Sequence, residues 1–380
     1  MGNTKRLKIC LLNHGLANGG TDTFVINVAK GLIENGHDVT VVMAVDDDNL
    51  QFREQEAIDS GIRIFRTCDL DGLKKKALHC KRLYKLLKNG KFDVFHANMD
   101  LLNGLNMFVA KMAGIPVRVC HSHNSESQFE KSTGKHLAVG MYRAVMRKLI
   151  KYNSNRYCGC SELAMDYLFP KYWKKSDKAT VIFNGIDLDR FKNLGTDLIT
   201  EKKKSLSLNT DDKVIVVVGR FATQKNPTFI VDIMSELVKL RSDVHLLWIG
   251  TGALQKETED RISELNLSDY ITLLGSRKDV NEILQCADAF LFPSLFEGLG
   301  IVAVEAQAAD VICLVSDVVP KMADCGKCIF MSLSDGADRW AEKLNDILKG
   351  KIEMQIDKER LHRFDRTQMI EQLEKVYEIN

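Results

Sequence analysis

Short apolar runs alternate with stretches whose apolar positions recur every three to four residues, and the alternation continues along most of the chain. Lys8–Leu12, Asp38–Met43, Ile62–Phe65 and Asp93–His96 read as strands. Between them lie an amphipathic helix over Phe24–Glu34, closed by Asn35-Gly36, and a basic helix over Leu73–Leu87. A strand opening at Pro116, then Tyr157–Cys160 and Thr180–Phe183, completes the first half. Lys192–Asp212 is polar and lysine-containing, the composition of a linker. The second half repeats the pattern, with strands at Lys213–Val218, Val244–Ile249, Ile271–Leu274, Ala289–Phe292 and Val311–Ser316. Its helices fall at Val280–Gln285, Ile301–Ala309 and Lys358–Ile379. Strands and helices in alternation predict the α/β class, with parallel sheets covered on both faces, and 380 residues suit two such domains.

Charge adds a local feature only. With 53 Lys plus Arg against 51 Asp plus Glu, no global field calls for nucleic acid. From Leu73 to Phe92, however, eight Lys or Arg face no acid, and Met141–Arg156 carries Arg143, Arg147, Lys148 and Lys151 between apolar residues. Such faces suit anionic lipid headgroups, hence peripheral contact with the cytoplasmic face of a membrane; a solvated helix face is the other reading. The ten cysteines fit reduced, buried thiols. Cys158-Gly-Cys160 has the wrong spacing for a usual zinc knuckle, and it falls in a different domain from Cys325-Gly-Lys-Cys328, so no metal is expected. The N-terminus lacks the apolar core of a signal peptide and no run approaches a membrane span, which together predict a cytoplasmic protein.

Candidate chemistry concentrates at strand ends. In Ala289–Ala309 an apolar strand breaks at Pro293-Ser294, turns through Glu297-Gly298-Leu299-Gly300 and enters a helix of Ile, Val and Ala that reads as buried all round yet contains Glu305. A buried carboxylate needs a partner from outside that helix. The helix start, with its free amides and positive dipole end, suits a phosphate. Gly219-Arg220-Phe221 ends another strand with Lys225-Asn226-Pro227 just ahead of a helix, and two cations so placed suit an anionic ligand. Gly250-Thr251-Gly252 and Gly275-Ser276-Arg277 close two further strands. In the first half, Gly19-Gly20 lies in the first strand-to-helix loop but is no G-x-G-x-x-G. The Pro116 strand ends in His121-Ser122-His123-Asn124, at the carboxyl edge where open α/β folds bind ligands.

Glu297, seven residues, then Glu305, preceded by Pro293-Ser294, closely resembles the signature of glycosyltransferase family 4, retaining, nucleotide-sugar-dependent enzymes of the GT-B fold. Gly219-Arg220-Phe221 with Lys225-Asn226 resembles the family's diphosphate clamp, and Asn184-Gly185-Ile186-Asp187 the turn that ends its N-terminal domain. The resemblance covers about residues 7–320 and implies two Rossmann-like domains facing across a cleft. These are an acceptor-side domain at 1–190, a linker at 191–212, a nucleotide-sugar-binding domain at 213–357 and a last helix at 358–380 that crosses back. It implies that Arg220, Lys225 and the amides of Gly298, Leu299 and Gly300 hold the diphosphate, with Gly219, Gly250 and Ser294 beside them. Glu305 would then bind the ribose, Glu297 the donor sugar, and the backbone at Gly275, Ser276 and Arg277 the nucleobase. Gly19 and Gly20 would approach the diphosphate and acceptor. Thr21-Asp22 departs there from the family's Ala-Glu, which leaves the acceptor open. His123, with Asn124 beside it, would face the donor sugar, and His121 is its alternative.

The resemblance thus implies transfer of a hexose or N-acetylhexosamine from a nucleotide sugar, UDP-linked by analogy, to a glycan or lipid-linked glycan in capsule or exopolysaccharide synthesis. No cofactor or metal is expected, since cations meet the leaving charge. No carboxylate nucleophile stands at the expected loops, so front-face retention is favoured over double displacement. A sugar-nucleotide epimerase of the same fold and an inactive nucleotide-sugar-binding subunit are the rival readings.

Overall fold

The apolar runs do become parallel strands, buried on both faces by helices. The computed structural model describes residues 6–378 apart from 18, 47–49, 125–135, 171, 193 and 210, and the chain divides into two units, Met1–Gly185 with Asp365–Asn380, and Ile186–Phe364. The first unit holds β1 (Lys8–Asn13), β2 (Asp38–Met43), β3 (Arg63–Arg66), β4 (Val94–Ala97), β5 (Val117–Ser122), β6 (Arg156–Gly159) and β7 (Ala179–Val181). Among the described residues they form one sheet, ordered β3-β2-β1-β4-β5-β6-β7. The second unit holds β8 (Lys213–Val218), β9 (Val244–Ile249), β10 (Ile271–Gly275), β11 (Ala289–Phe292), β12 (Cys313–Ser316) and β13 (Cys328–Met331), ordered β10-β9-β8-β11-β12-β13.

Alternation along β1 shows why helices must cover both faces. Ile9 and Leu11 pack with Phe24, Val28 and Leu373 on one side, while Cys10 and Leu12 meet Leu83, Leu87, Met107 and Ile150 on the other. In each sheet the strand order reverses once, between β1 and β4 and between β8 and β11. The loops leaving those strands diverge there and open the crevice in which doubly wound sheets bind ligands.

Three expectations change. The stretch 191–212, expected as a linker, carries the helix Thr196–Ser205 and belongs to the second unit. Lys202 explains this, because its ammonium pairs with Asp279 at 2.9 Å and with Glu282. The tail expected as one helix is two, Lys358–His362 and Arg366–Tyr377, because Asp357 and Asp365 each cap a new start, Asp365 accepting from the Thr367 amide at 2.7 Å. The third is the environment of Glu305. The helix Ile301–Ala308 is not buried all round: Ile301, Val302, Glu305 and Ala308 share a half-exposed side, while Ala303, Val304, Ala306 and Gln307 face the core. The buried polar group that needs satisfying is instead Gln307, which donates to the carbonyls of Ala303 and Ala323 and accepts from the Cys325 amide at 2.7 Å. All ten cysteines are free and all but Cys80 are buried. The polar loop read from Glu126 onward lies largely outside the described residues, and the basic helix after it spans His136–Asn153.

Candidate functional site

In the second unit the site residues gather where β8 and β11 end. Gly219 and Arg220 follow β8. The Gly219 amide donates to Ile249 at 2.9 Å, and Trp248 Nε1 donates to the Gly219 carbonyl at 3.2 Å. Phe221 is buried against the Trp248 ring, 4.5 Å between centroids. The backbone on either side of Arg220 is thus fastened down while its side chain is exposed. Gly250 makes this possible, for a Cβ there would run into the Gly219 carbonyl, and its φ of 147° is one L side chains rarely adopt.

The loop after β8 is tied to the loop after β11. Leu295 donates its amide to the Gln224 carbonyl at 2.8 Å, and Gln224 Nε2 donates to the Phe296 carbonyl at 3.0 Å. Beside these bonds Lys225 Nζ stands 2.6 Å from Glu297 Oε1 and 4.4 Å from the centroid of the Phe292 ring, with both side chains largely buried. A Lys–Glu pair so enclosed keeps both charged groups in place without solvent. Ser294 is fully buried and its carbonyl accepts from Ser316 Oγ at 2.6 Å, so its hydroxyl lines no open surface. Gly298 and Leu299 are buried in the same turn, and Gly300, at a φ of 80°, turns the chain into the helix that bears Glu305. Gly275 and Ser276 close β10, at the edge of the sheet. Arg277 beside them is already committed, its guanidinium donating to Asp279 at 2.9 and 2.7 Å. That fork, with Lys202 behind it, holds the Asp279 carboxyl down at about 2 against partial burial.

In the first unit the residues gather where β1, β4 and β5 end. Asn13 Nδ2 donates to the Gly15 carbonyl at 2.7 Å and to Asp22 Oδ1 at 2.8 Å, while Asp22 Oδ2 accepts from the Gly19 amide at 2.9 Å. Asp22 therefore ties down the Gly19-Gly20 helix start, which gives the departure from the family's Glu a structural reason. Burial pushes its carboxyl up, against those two donors.

His121 is fully buried and His123 nearly so; their rings stack with centroids 4.3 Å apart, and the Phe24 ring stands steeply inclined to both with its centroid 4.8 and 4.7 Å from theirs. Burial holds His123 at about 3 and His121 well below the usual histidine value, so both are neutral. Asp100, in the turn after β4, accepts from the His123 amide at 3.0 Å and from Asn124 Nδ2 at 2.5 Å, and burial pushes its carboxyl up.

The structure thus assembles the predicted residues into one cluster per unit, with Gly275, Ser276 and Arg277 set apart at the sheet edge. Sequence reasoning missed Asn13, His96, Asn98, Asp100, Gln224 and Tyr377. The run His96-Ala97-Asn98-Met99-Asp100 at the end of β4 held a readable signal, one polar group within the end of an apolar strand and two just past it. Tyr377 held none.

Comparison with known proteins extends these observations. The family model described as Glycosyltransferase Family 4 matches residues 18–190, and that described as Glycosyl transferases group 1 matches residues 199–366. The chain is 30% identical, over 76% of its length and 73% of the relative, to the UDP-Gal:alpha-D-GlcNAc-diphosphoundecaprenol alpha-1,3-galactosyltransferase of Escherichia coli. It is 29% identical to EpsF of Bacillus subtilis (strain 168), a protein named as a glycosyltransferase, over 100% of this chain and 98% of that one. Among solved structures, HepE of Anabaena in complex with UDP-glucose superposes with a TM-score of 0.79 at 17% identity, covering 97% of this chain and 99% of that one. WaaG, a glycosyltransferase involved in lipopolysaccharide biosynthesis, superposes with a TM-score of 0.76 at 15% identity, covering 98% and 100%. The shared fold is GT-B, built of two Rossmann-like units.

Proposed function

Since this chain belongs to glycosyltransferase family 4, we propose that it is a retaining transferase that moves a hexose or N-acetylhexosamine from a UDP-sugar to a glycan or lipid-linked glycan in polysaccharide synthesis. The observation that carries this reading is the strapped pair of loops at the second switch point, which hold the Lys225–Glu297 pair beside the exposed Arg220. Arg220, Lys225 and the amides at Gly298 to Gly300 meet the charge of the departing diphosphate, so no divalent ion is needed for that task. Glu305, one turn into the helix, takes the ribose hydroxyls. Glu297 takes the donor sugar, and Lys225 holds its carboxylate ready. His123 and Asn124 offer the first unit's neutral groups to a sugar.

Retention proceeds on one face of the ring. The bond from the anomeric carbon to the diphosphate oxygen breaks, that oxygen takes the acceptor's proton, and the acceptor oxygen bonds the same face. Double displacement would need a carboxylate nucleophile. Asp100, the carboxylate that meets the histidine cluster, has both oxygens engaged by the His123 amide and Asn124, which supports the front-face route.

The UDP donor and the lipid-linked acceptor are supported by what the names of relatives state. Among the described residues no helix is long and apolar enough to cross a membrane. Leu73, Met141 and Tyr152, exposed at 86, 67 and 63% on two basic helices, support peripheral contact with the cytoplasmic membrane face.

The first test is a thermal-shift panel of UDP, GDP, ADP and NAD. A ligand at about a hundred times its dissociation constant stabilises by about 2.7 kcal/mol. UDP alone is expected to shift the wild type, and Arg220→Ala and Glu305→Ala are each expected to abolish the shift while remaining folded. A shift retained in both variants would overturn the site. A shift with NAD alone would overturn the transferase reading, and release of UDP from a UDP-sugar separates transfer from mere binding.

A further inference from the structure

Tyr377 is the last residue of the helix Arg366–Tyr377 and is fully buried. Its hydroxyl lies 2.6 Å from His96 Nδ1, although 281 positions separate the two, and His96 Nε2 lies 3.0 Å from His121 Nδ1. The two imidazole planes are 5° apart, so the three side chains form one continuous chain of hydrogen bonds beneath the strand ends. Burial holds His96 at about 3 and the Tyr377 phenol well above its usual value, so every member is neutral and each imidazole carries one proton.

That count orients the chain. Either direction leaves one donor over: if His121 donated to His96 and His96 to the tyrosine oxygen it would be the phenol hydrogen, at the C-terminal helix, whereas the reverse leaves the His121 Nε2–H, beside His123 at the strand end, where a ligand hydroxyl can accept it. With the phenol donating to His96 Nδ1, His96 Nε2–H donates to His121 Nδ1, and His121 keeps its hydrogen on Nε2. His123 is set independently: Asn98 Nδ2 donates to the Leu12 carbonyl at 3.2 Å, which turns Asn98 Oδ1 towards His123 Nε2 at 2.9 Å and leaves His123 Nδ1 as a bare acceptor. His121 Nε2 and His123 Nδ1, on rings stacked 18° from parallel, are buried atoms without a hydrogen-bond partner in the described structure.

We infer that Tyr377 is a positioning residue that acts through His96 to lock His121 in the Nε2–H tautomer. The stacked pair then presents one donor and one acceptor, the pattern a hydroxyl satisfies from both sides. The C-terminal helix is in this way part of the first unit's ligand cluster. The link to a sugar hydroxyl rests on the proposed transferase function; the tautomer lock does not.

The test uses the full chain with 15N-labelled histidine. Long-range nitrogen spectra are expected to show His96 and His121 as Nε2–H tautomers in the wild type, and Tyr377→Phe is expected to admit the Nδ1–H form at one or both. Turnover of the UDP-sugar by Tyr377→Phe should fall about tenfold, the factor carried by one hydrogen bond, with the UDP thermal shift unchanged. A wild-type His121 protonated on Nδ1, or unchanged tautomers in Tyr377→Phe, would overturn the lock. A changed tautomer with kcat and KM both unaltered would overturn its role in positioning. The wild-type spectrum decides the tautomer even if the variant fails to fold, and it does so whether or not the chain turns over a UDP-sugar.

Discussion

At the switch point of the first sheet the polar groups are mostly imidazoles and amides, His96, Asn98, His121 and His123, buried and neutral against Phe24. At the switch point of the second they are charged, with Arg220 exposed and Lys225 held against Glu297. The topology is the same and the means of fixing the groups differ. Neutral groups in a dry interior are fixed by who donates to whom, which demands a complete shell of partners. A cation placed at a strand end needs only a fastened backbone, here supplied by Gly219, Phe221, Trp248 and Gln224.

The largest expected effect separating the two is acid sensitivity. Above pH 6.5 histidine is neutral folded or unfolded, and the stability of the cluster is full. As pH falls, the unfolded chain binds protons that His96 and His123 refuse until about 3. Each therefore withdraws about 1.4 kcal/mol per pH unit between those limits. Asp22 and Asp100, whose carboxyls are pushed up, bind protons more readily when folded and offset part of this loss at low pH. Urea unfolding at pH 7, 6 and 5, with hydrogen exchange reading each unit, should show the first unit loosening before the second. Equal loss in both would break the contrast.

A smaller effect probes the fastened backbone. Gly250→Ala sets a Cβ against the Gly219 carbonyl and is expected to cost about 2–3 kcal/mol in the urea midpoint, together with the UDP shift. An unaltered midpoint would show that the strand ends have room to move apart. The smallest concerns Lys225 and Glu297. A double-mutant cycle of Lys225→Met and Glu297→Gln should return a coupling of about 1–2 kcal/mol, whereas additive effects would mean that the 2.6 Å pair does not hold the loop.

The second cluster was far more legible than the first. Its residues sit in two contiguous stretches, 219–226 and 293–305, where residue type and spacing alone suggest an anionic ligand. Even so, Glu305 lies on the half-exposed side and not in the core; the apolar composition of Ile301–Ala308 does not show which side of a short helix is buried. In the first unit the His121–Asn124 element could be read, as could the loop at Gly19-Gly20. The Asp22 tie to Asn13 and the Asp100 clamp on Asn124 could not, because the first depends on how the loop between the strand and its helix folds back and the second joins residues from different strand ends. The helix at 196–205 was hidden for a similar reason: it is polar along its length, and Lys202 finds its partners some 77 positions away.

What the sequence by itself determined is the alternation of strand and helix, the parallel sheets that follow from it, and the local motifs at strand ends. Period and turn chemistry act over a few residues and are written in order along the chain. Only the tertiary structure decided which strands became neighbours, which acid faced Lys225, and which nitrogen of His121 kept its proton. Those outcomes depend on burial and on partners brought together from as far apart as His96 and Tyr377. Hydrogen bonds and charges gain their direction from the surroundings that close over them, and the linear chain does not contain those surroundings until it has folded.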